Sequence, residues 1–246
     1  MSRPYVWAHR GAAGYAPENT LEAFSMAAQM GADGVELDVQ LSKDGQIVVC
    51  HDEKVNRTSD GKGWVRDFTL EELKQMDFSG GNEKYAGVKI PTLEEVLELL
   101  RDTGMYVDIE LKTSAYPYLG IEKKCIKLVR EMGYEERVHF SSFNYLSLQK
   151  IRLYARNMPT GYLFLHASPS IVGTARKVGA TAMNISCRNL QTEGFVEKCK
   201  ENDMQINVWT VNKEREMHLC MEYDINAVIT DYPDKIMQIR DQIDVI

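Results

Sequence analysis

Short β-rich segments and helical segments alternate along this chain. Eight segments rich in β-branched or aromatic residues are predicted to be strands, at residues 5–9, 34–41, 105–112, 137–143, 160–165, 180–186, 205–211 and 227–230. Helical patterns lie between them, among others at 121–132, 145–156, 168–178, 192–202 and 213–222. Eight strand–helix units in 246 residues match the number of units and the typical length of a TIM-type barrel.

The loop after the first predicted strand argues against the main competing architecture. A doubly wound open sheet usually carries a glycine-rich phosphate-binding fingerprint at this point. The sequence here reads His9-Arg-Gly-Ala-Ala-Gly14, which is a different pattern. We therefore predict an α/β fold, a TIM (β/α)8 barrel, with residues 1–246 forming a single domain. A chain of this length buries enough core to fold without disulfides or a structural metal.

A polar stretch at about residues 52–90 interrupts the alternation and is predicted to be a short insertion. Threonine followed three positions later by glutamate is a capping box, which predicts helices that begin after Thr69 and after Thr92. The glycine- and lysine-rich segment between these two helices is predicted to cover the active site. Earlier in the chain, Asn19 and Glu22 form a similar pattern, so Asn19 is the predicted N-cap of the first helix.

Charge and cysteine usage limit the partners and the compartment. A formal net charge of −7 without a basic stripe argues against nucleic acid as a partner. The five cysteines are scattered, with no CxxC and no zinc-ligand spacing, which predicts buried free thiols in a reducing compartment. The first residues contain no apolar signal core, and no run approaches the ~20 apolar residues of a membrane span. We expect a cytoplasmic protein without stable membrane association, either a monomer or a homodimer.

Residues 34–52 are predicted to form a hairpin with one polar face. Residues 34–41 alternate apolar side chains with acidic or amide side chains, as a strand with one apolar side does. Asp44-Gly45 is a two-residue turn signal, and a turn of that length places His51 opposite Asp38 on the same face. A three-residue loop would place Leu37 opposite the histidine and direct His51 away. We predict the two-residue turn.

Three carboxylates are predicted to meet at the barrel mouth. Glu36, Asp38 and Glu110 lie near the C-terminal ends of predicted strands, where TIM barrels carry their reacting groups. Their mutual repulsion calls for a cation, and oxygen ligands without thiolates favour one divalent Mg²⁺ or Ca²⁺ ion, with Mn²⁺ as a third choice. The alternative is that these carboxylates only form salt bridges with Lys112 or Arg10.

His9 and His51 accompany this acidic cluster, and histidine takes up and releases protons near neutral pH. Acid/base catalysis or metal ligation is therefore predicted for both. Arg10 and Lys112 are candidates to bind an anion together with the metal, with ion pairing alone as the alternative. The remaining histidines lack acidic company and are interpreted as structural, namely His139, His166 and His218.

Several motifs, in their order along the chain, resemble those of the glycerophosphodiester phosphodiesterase family. They are His9-Arg10-Gly11, Pro17-Glu18-Asn19-Thr20, Glu36-Leu-Asp38, Lys43-Asp-Gly45, His51-Asp52, Glu110-Leu-Lys112, Val208-Trp-Thr-Val-Asn212 and Thr230-Asp-Tyr-Pro233. The resemblance covers essentially the whole chain, and its first 52 residues are highly specific. The short insertion is similar to that of the compact cytosolic bacterial members.

The resemblance implies a TIM barrel with a small insertion after the second histidine, a divalent metal on Glu36, Asp38 and Glu110, and a catalytic pair formed by His9 and His51. One histidine would activate the nucleophile and the other would protonate the leaving alkoxide, with either assignment open.

Two further residues are interpreted alongside this family mechanism. Asn19 is expected to brace the loop beside His9 while it caps the helix. Trp209 is expected at the barrel mouth, where it either packs on the substrate or fills the core.

We therefore expect hydrolysis of glycerophosphodiesters, such as glycerophosphocholine or glycerophosphoethanolamine, to glycerol 3-phosphate and an alcohol. A lysophospholipase D-like phosphodiesterase is the first alternative, but it would need an apolar lip near the mouth, and residues 52–90 are too polar to provide one. A non-catalytic barrel that binds phosphoryl ligands is the second alternative, and the intact His9 and His51 argue against it.

Overall fold

The computed structural model describes residues 3–243. Eight parallel strands form a closed barrel surrounded by helices, which confirms the predicted α/β fold. The strands are β1 (Tyr5–His9), β2 (Gly34–Leu41), β3 (Ile47–Val49), β4 (Tyr106–Leu111), β5 (Val138–Ser142), β6 (Thr160–Leu163), β7 (Ala182–Ser186), β8 (Gln205–Trp209) and β9 (Ala227–Thr230). All except β3 form the barrel, which closes because β1 pairs in parallel with both β2 and β9. The antiparallel β3 is added to the end of β2.

The helices follow the predicted strand–helix alternation. They are α1 (Leu21–Gln29), α2 (Leu70–Gln75), α3 (Leu93–Leu100), α4 (Ile121–Glu131), α5 (Tyr145–Tyr154), α6 (Pro169–Val178), α7 (Phe195–Lys200), α8 (Glu214–Glu222) and α9 (Pro233–Ile243). Single 3-10 turns occur at Val55–Arg57, Val65–Asp67, Glu83–Tyr85, Arg101–Thr103 and Cys187–Gln191. In the part of the chain that the structure describes, none of these helices has the length and apolar character that a membrane crossing requires.

Strand β2 is buried along its whole length because its two sides face different surroundings. Val35, Leu37 and Val39 belong to the apolar core between the barrel and the helices. The alternate residues are polar and turn into the barrel, as the period of two requires. The predicted division of β2 into an apolar and a polar side is therefore confirmed, and it is what places carboxylates inside the barrel.

The predicted hairpin register is wrong by one residue. Gln40 pairs with Val48, and Ser42 N–H donates to Gln46 O at 3.0 Å, so the loop contains three residues rather than two. Gly45 adopts φ +79°, the left-handed conformation that closes a three-residue hairpin loop. The insertion determines this loop, because Lys43 N–H donates to Phe68 O at 2.8 Å instead of joining the ladder.

The predicted N-cap of α1 is also wrong by one residue. Thr20 caps the helix, and its hydroxyl oxygen accepts a hydrogen bond from Ala23 N–H at 3.2 Å. Asn19 instead has φ +58° and donates its side-chain N–H to Asp38 Oδ2 at 2.9 Å. The capping boxes predicted at Thr69 and Thr92 are both confirmed.

Residues 52–90 form a short addition beside the hairpin. They contain α2 and three of the 3-10 turns. Their small apolar core includes Val55, Leu73 and Phe78, and it packs against Val48 and Cys50 of the hairpin. The insertion thus stabilises the segment that leads from β3 into the barrel mouth.

Candidate active site

A cavity of about 250 Å³ opens at the C-terminal ends of the barrel strands. Its lining includes six of the eight predicted site residues, namely His9, Arg10, Glu36, His51, Glu110 and Trp209. The other two, Asp38 and Lys112, lie behind this lining and contact it. A larger groove of about 870 Å³ lies outside the barrel between the hairpin turn and helices α3 and α4, and surface leucines, glutamates and lysines line it. The convergent polar groups favour the barrel cavity as the site.

Three buried carboxylates form a cluster at the centre of this site. One oxygen from each of Glu36, Asp38 and Glu110 lies within 4.8 Å of the other two. Burial, reinforced by the charge of Asp38, raises the pKa of Glu36 well above its usual value and that of Glu110 to about 7. Burial also opposes ionisation of Asp38, but Lys112 and Arg10 outweigh it and lower its pKa to about 2.

The cluster has the chemistry of a hard-metal site. Asp38 Oδ1 is buried and has no hydrogen-bond partner within residues 3–243. The nearest cation to it, Lys112 Nζ, is 3.6 Å away and hydrogen-bonds to Glu110 Oε1 at 2.8 Å. Arg10 is likewise shared, since its Nε lies 3.4 Å from Asp38 Oδ2 and its Nη1 donates to Glu18. Two shared cations therefore face three carboxylates, and the oxygen-only donor set fits a hard divalent ion such as Mg²⁺ or Ca²⁺.

His9 ends β1 and is oriented by a carboxylate that sequence reasoning did not select. Its Nδ1 lies 2.7 Å from Asp231 Oδ1, directly after β9. Because an ionised carboxylate can only accept, Nδ1 carries the proton and Nε2 faces Glu36 Oε2 at 4.0 Å. Burial alone would raise the pKa of Asp231, but the hydrogen bond and charge of His9 lower it overall. Asn212 also donates to Asp231 Oδ2 at 2.6 Å and holds it in place.

His51, which lines the same cavity, has a similar arrangement. Its Nδ1 lies 2.7 Å from Asp52 Oδ1, and Arg57 Nε donates to Asp52 Oδ2 at 2.8 Å. The hydrogen bond from Arg57 is the main reason that the pKa of Asp52 lies below its usual range. Burial lowers the pKa of His51, although the charge of Asp38 partly offsets this effect.

His51 lines the cavity despite the three-residue hairpin loop because the chain leaves the ladder before reaching it. Strand β3 ends at Val49, and Gln40 then holds the following turn from inside the barrel. Gln40 Nε2 donates to Cys50 O at 2.8 Å and to Asp52 O at 2.7 Å. Cys50 N–H also donates to Asp38 O at 2.9 Å, so the amide of Gln40 and this last bond to β2 together hold the turn that carries His51.

A bridge between the insertion and the first loop also escaped sequence reasoning. Arg57 Nη1 donates to Glu18 Oε2 at 2.6 Å, and Arg10 Nη1 donates to Glu18 Oε1 at 2.8 Å. Through Asp52, the same Arg57 is connected to His51. The sequence did contain signals for the two aspartates that hydrogen-bond to the histidines. Asp52 directly follows His51, and Asp231 lies in the motif Thr230-Asp-Tyr-Pro233.

One side of the cavity is apolar. Trp209 lies there with Phe143, Leu163 and Ile229. The rings of Trp209 and Phe143 meet edge to face with centroids 6.2 Å apart. The cavity is therefore lined by both apolar and charged side chains, so the site can hold a ligand with one anionic and one less polar part.

The segment between α2 and α3 does not cover this cavity, contrary to the prediction. The cavity lining comes from barrel strand ends and the first loops, and within the described residues none of it comes from 52–90. Ser79, Gly80 and Asn82 instead line a neighbouring groove against Tyr15. The hydroxyl of Tyr85 donates to Tyr15 O at 3.4 Å, so the segment is packed beside the first loop.

The family model described as "Glycerophosphoryl diester phosphodiesterase family" matches residues 9–235. A glycerophosphodiester phosphodiesterase of Caldanaerobacter subterraneus subsp. tengcongensis is 42% identical over 235 residues, which cover 95% of this chain and 96% of that protein. Two solved structures are also similar. One is a phosphodiesterase of Oleispira antarctica in complex with the product sn-glycerol-3-phosphate, with a TM-score of 0.86, 32% identity and 97% of each chain covered. The other is a glycerophosphodiester phosphodiesterase of Agrobacterium tumefaciens, with a TM-score of 0.83, 29% identity and coverage of 96% and 99%.

Proposed function

Since the chain belongs to the glycerophosphoryl diester phosphodiesterase family and is a phosphoric diester hydrolase, we propose that it cleaves glycerophosphocholine and glycerophosphoethanolamine. The products are glycerol 3-phosphate and the headgroup alcohol. The Oleispira antarctica relative was solved with sn-glycerol-3-phosphate, which supports the same product here. His9 and His51 are the acid/base pair.

The observation that carries this proposal is the matched environment of the two imidazoles. Each has its Nδ1 2.7 Å from its own aspartate, and both line the cavity that holds the carboxylate cluster. The aspartates assign the Nδ1 protons, so the two Nε2 atoms are left for proton transfer to and from a bound ligand. A pair of this kind suits a reaction that removes one proton and delivers another.

The carboxylate cluster would hold one divalent cation, Mg²⁺ or Ca²⁺, with Mn²⁺ as a third choice. Its ligands would be Glu36, Asp38 and Glu110, whose oxygens are already close together. When bound, such an ion supplies positive charge that attracts the phosphodiester and stabilises charge on its oxygens. The cluster is otherwise repulsive to an anion, so substrate binding would depend on the cation.

Arg10 and Lys112 would bind the phosphoryl oxygens from the protein side. Arg10 lines the cavity, and Lys112 lies directly behind Glu110. Both cations are shared among carboxylates, which keeps them in position and limits their conformational freedom. Trp209 would pack against the glycerol or the headgroup on the apolar side of the cavity.

We assign the general base to His51 and the general acid to His9. Burial lowers the pKa of His51, which favours the neutral imidazole that a base requires. His51 Nε2 would take a proton from the attacking water as the water oxygen bonds to phosphorus and the bond from phosphorus to the headgroup oxygen breaks. His9, next to the ionised Asp231, would deliver a proton to the departing alkoxide.

Product analysis with several headgroups tests this function. The purified protein, supplied with Mg²⁺ or Ca²⁺, should release glycerol 3-phosphate from glycerophosphocholine and from glycerophosphoethanolamine, as measured by a coupled dehydrogenase assay. Choline should appear in equal amount from the first substrate. Release of phosphocholine and glycerol would mean that the other ester bond is cleaved and would contradict the proposal.

A further inference from the structure

One buried side chain binds the backbone carbonyls on both sides of His51. Gln40 lies on β2 and is fully buried, and its Nε2 donates to Cys50 O at 2.8 Å and to Asp52 O at 2.7 Å. The Asp52 carboxylate is also the hydrogen-bond partner of His51 Nδ1. The amide of Gln40 therefore holds the backbone that carries both the imidazole and its aspartate.

A tyrosine from another loop sets the orientation of this amide. Tyr118 lies in the loop after β4, is buried, and donates its hydroxyl hydrogen to Gln40 Oε1 at 2.7 Å. Burial raises the pKa of Tyr118, so the hydroxyl keeps the proton that it donates. Because Oε1 accepts from Tyr118, the two hydrogens of Nε2 are directed at the two carbonyls. An exchange of the amide oxygen and nitrogen would place oxygen against carbonyl oxygen, so Tyr118 selects one orientation.

Side chains of the insertion hold the loop that carries Tyr118. The rings of Tyr116 and Tyr118 meet edge to face with centroids 5.0 Å apart. The central carbon of the Arg66 guanidinium lies 4.1 Å from the centroid of the Tyr116 ring and 4.8 Å from that of the Trp64 ring. Cation–π contacts of this kind hold a long side chain against aromatic rings. The insertion thus supports the loop after β4, although it does not cover the cavity.

We propose that Gln40 and Tyr118 are positioning residues for His51. Among the described residues neither belongs to the cavity lining, so each acts on the reaction through the turn that carries the imidazole. Without the Tyr118 hydroxyl, Gln40 Oε1 is left buried without this donor, and the amide no longer has one preferred orientation. The imidazole then spends less time in the geometry that proton transfer requires. The proposal rests on the function proposed above, because it requires His51 to act in the reaction.

Tyr118→Phe tests the proposal because it removes the hydroxyl and keeps the ring. With glycerophosphocholine as substrate and Mg²⁺ present, kcat should fall by about tenfold while KM changes by less than about twofold. Loss of substrate contacts would instead raise KM. A wild-type kcat in this variant would overturn the proposal.

Tyr134→Phe is the matched control. Tyr134 is also buried and donates its hydroxyl hydrogen to Leu97 O at 2.8 Å, in the apolar core between the barrel and the helices. This variant loses an equivalent hydrogen bond, so its melting temperature should fall as in Tyr118→Phe while its kcat stays at the wild-type value. An equal loss of kcat in both variants would mean that destabilisation alone explains the effect, and the positioning role would be rejected.

A double-mutant cycle separates positioning from an independent effect of Tyr118. In the His51→Ala background there is no imidazole to place, so adding Tyr118→Phe should lower kcat by less than about twofold. Gln40→Met removes the amide at a similar side-chain volume and should behave like Tyr118→Phe in both backgrounds. A further tenfold loss in the His51→Ala background would contradict the proposal, since it would show that these residues act without His51.

The NMR signals of the histidine rings give a measurement that does not depend on activity. Signals of His51 are identified by their absence from His51→Ala, and Tyr118→Phe should shift or broaden them while those of the exposed His218 stay unchanged. Unaltered His51 signals would count against the proposal. Loss of activity in His51→Ala together with a wild-type kcat in Tyr118→Phe would reject the positioning role alone. A wild-type protein that releases no glycerol 3-phosphate would instead refute the proposed function.

Discussion

His9 Nδ1 and Asp231 Oδ1 are 2.7 Å apart although 222 positions separate the two residues along the chain. They meet because β1 and β9 are neighbours in the closed barrel, with Ala8 paired to Thr230. Asp231 assigns the proton of His9 to Nδ1 and leaves Nε2 directed at the carboxylate cluster. Closure of the barrel thus completes one of the two histidine–aspartate pairs of the candidate site.

Replacing Asp231 by asparagine should impair catalysis more than substrate binding. The neutral amide removes the negative charge beside His9 Nδ1 that stabilises the imidazolium form a general acid requires, and we expect kcat to fall by about 100-fold. Steady-state kinetics on glycerophosphocholine measure the effect. Asp234→Asn is the control, since Asp234 accepts from the hydroxyl of Tyr15 and should tolerate the change with a near-normal kcat. A kcat for Asp231→Asn equal to that of the control would argue against the orienting role.

The two histidines should each be indispensable. His9→Ala and His51→Ala remove general acid or base groups, so each should lower turnover by at least about 100-fold while the protein stays folded by circular dichroism. His218→Ala is the control, because His218 is exposed on α8 and paired with Glu214. A near-normal rate in either variant would remove that histidine from the mechanism.

Trp209 should contribute to substrate affinity. Trp209→Ala removes the aromatic surface that lines the cavity beside Phe143, and KM should rise by about three- to tenfold with a smaller change in kcat. Trp209→Phe retains a ring and should recover most of the affinity. If the alanine variant has wild-type kinetics, Trp209 only fills the core.

The stability of metal-depleted protein should decrease between pH 4.5 and pH 7. The folded state raises the pKa of Glu110 from 4.5 to about 7, so in this window the folded protein holds a proton that the unfolded chain has lost. Such a shift lowers the free energy of unfolding by on the order of 3 kcal/mol between pH 5 and pH 8. The melting temperature should therefore be lower by roughly 5 °C or more at pH 8 than at pH 5.

Thermal melts in chelator measure this pH dependence. Glu110→Gln cannot ionise at position 110 and should show a flatter profile, and added Mg²⁺ or Ca²⁺ should stabilise the wild-type protein at pH 8 by binding its folded state. Equal pH dependence in wild type and Glu110→Gln would show that Glu110 ionises normally in the folded protein.

Much of the fold follows from local sequence patterns. Alternation along β2 predicted which side chains enter the barrel, and the threonine–glutamate pairs predicted where α2 and α3 begin. The hairpin register depends on distant groups instead. Lys43 N–H donates to Phe68 O, and Asp44 Oδ1 accepts from Leu70 N–H at 3.0 Å, so the insertion decides the turn. No local pattern contains that information.

In the candidate site, too, some features follow from local sequence patterns and others depend on distant groups. Strand periodicity was sufficient to bring Glu36, Asp38 and Glu110 together, because neighbouring parallel strands end at the same edge of the barrel. The partners of the histidines were harder to select. Asp231 is distant along the chain, and the role of Asp52 becomes visible only when Arg57 is seen to bind it. The local pattern of Asn19 and Glu22 predicted a helix cap. The actual partner of Asn19 is Asp38 on a separate element, which no local pattern indicates.

Removal and return of the metal test the central claim most directly. Protein freed of divalent ions by a chelator should lose glycerol 3-phosphate release from glycerophosphocholine and recover it when Mg²⁺ or Ca²⁺ is added back. Glu36→Gln and Glu110→Gln should fail to recover at the same ion concentrations, because each lacks one carboxylate of the cluster. Full activity of the wild-type enzyme in excess chelator would contradict a metal-dependent phosphodiesterase centred on these residues.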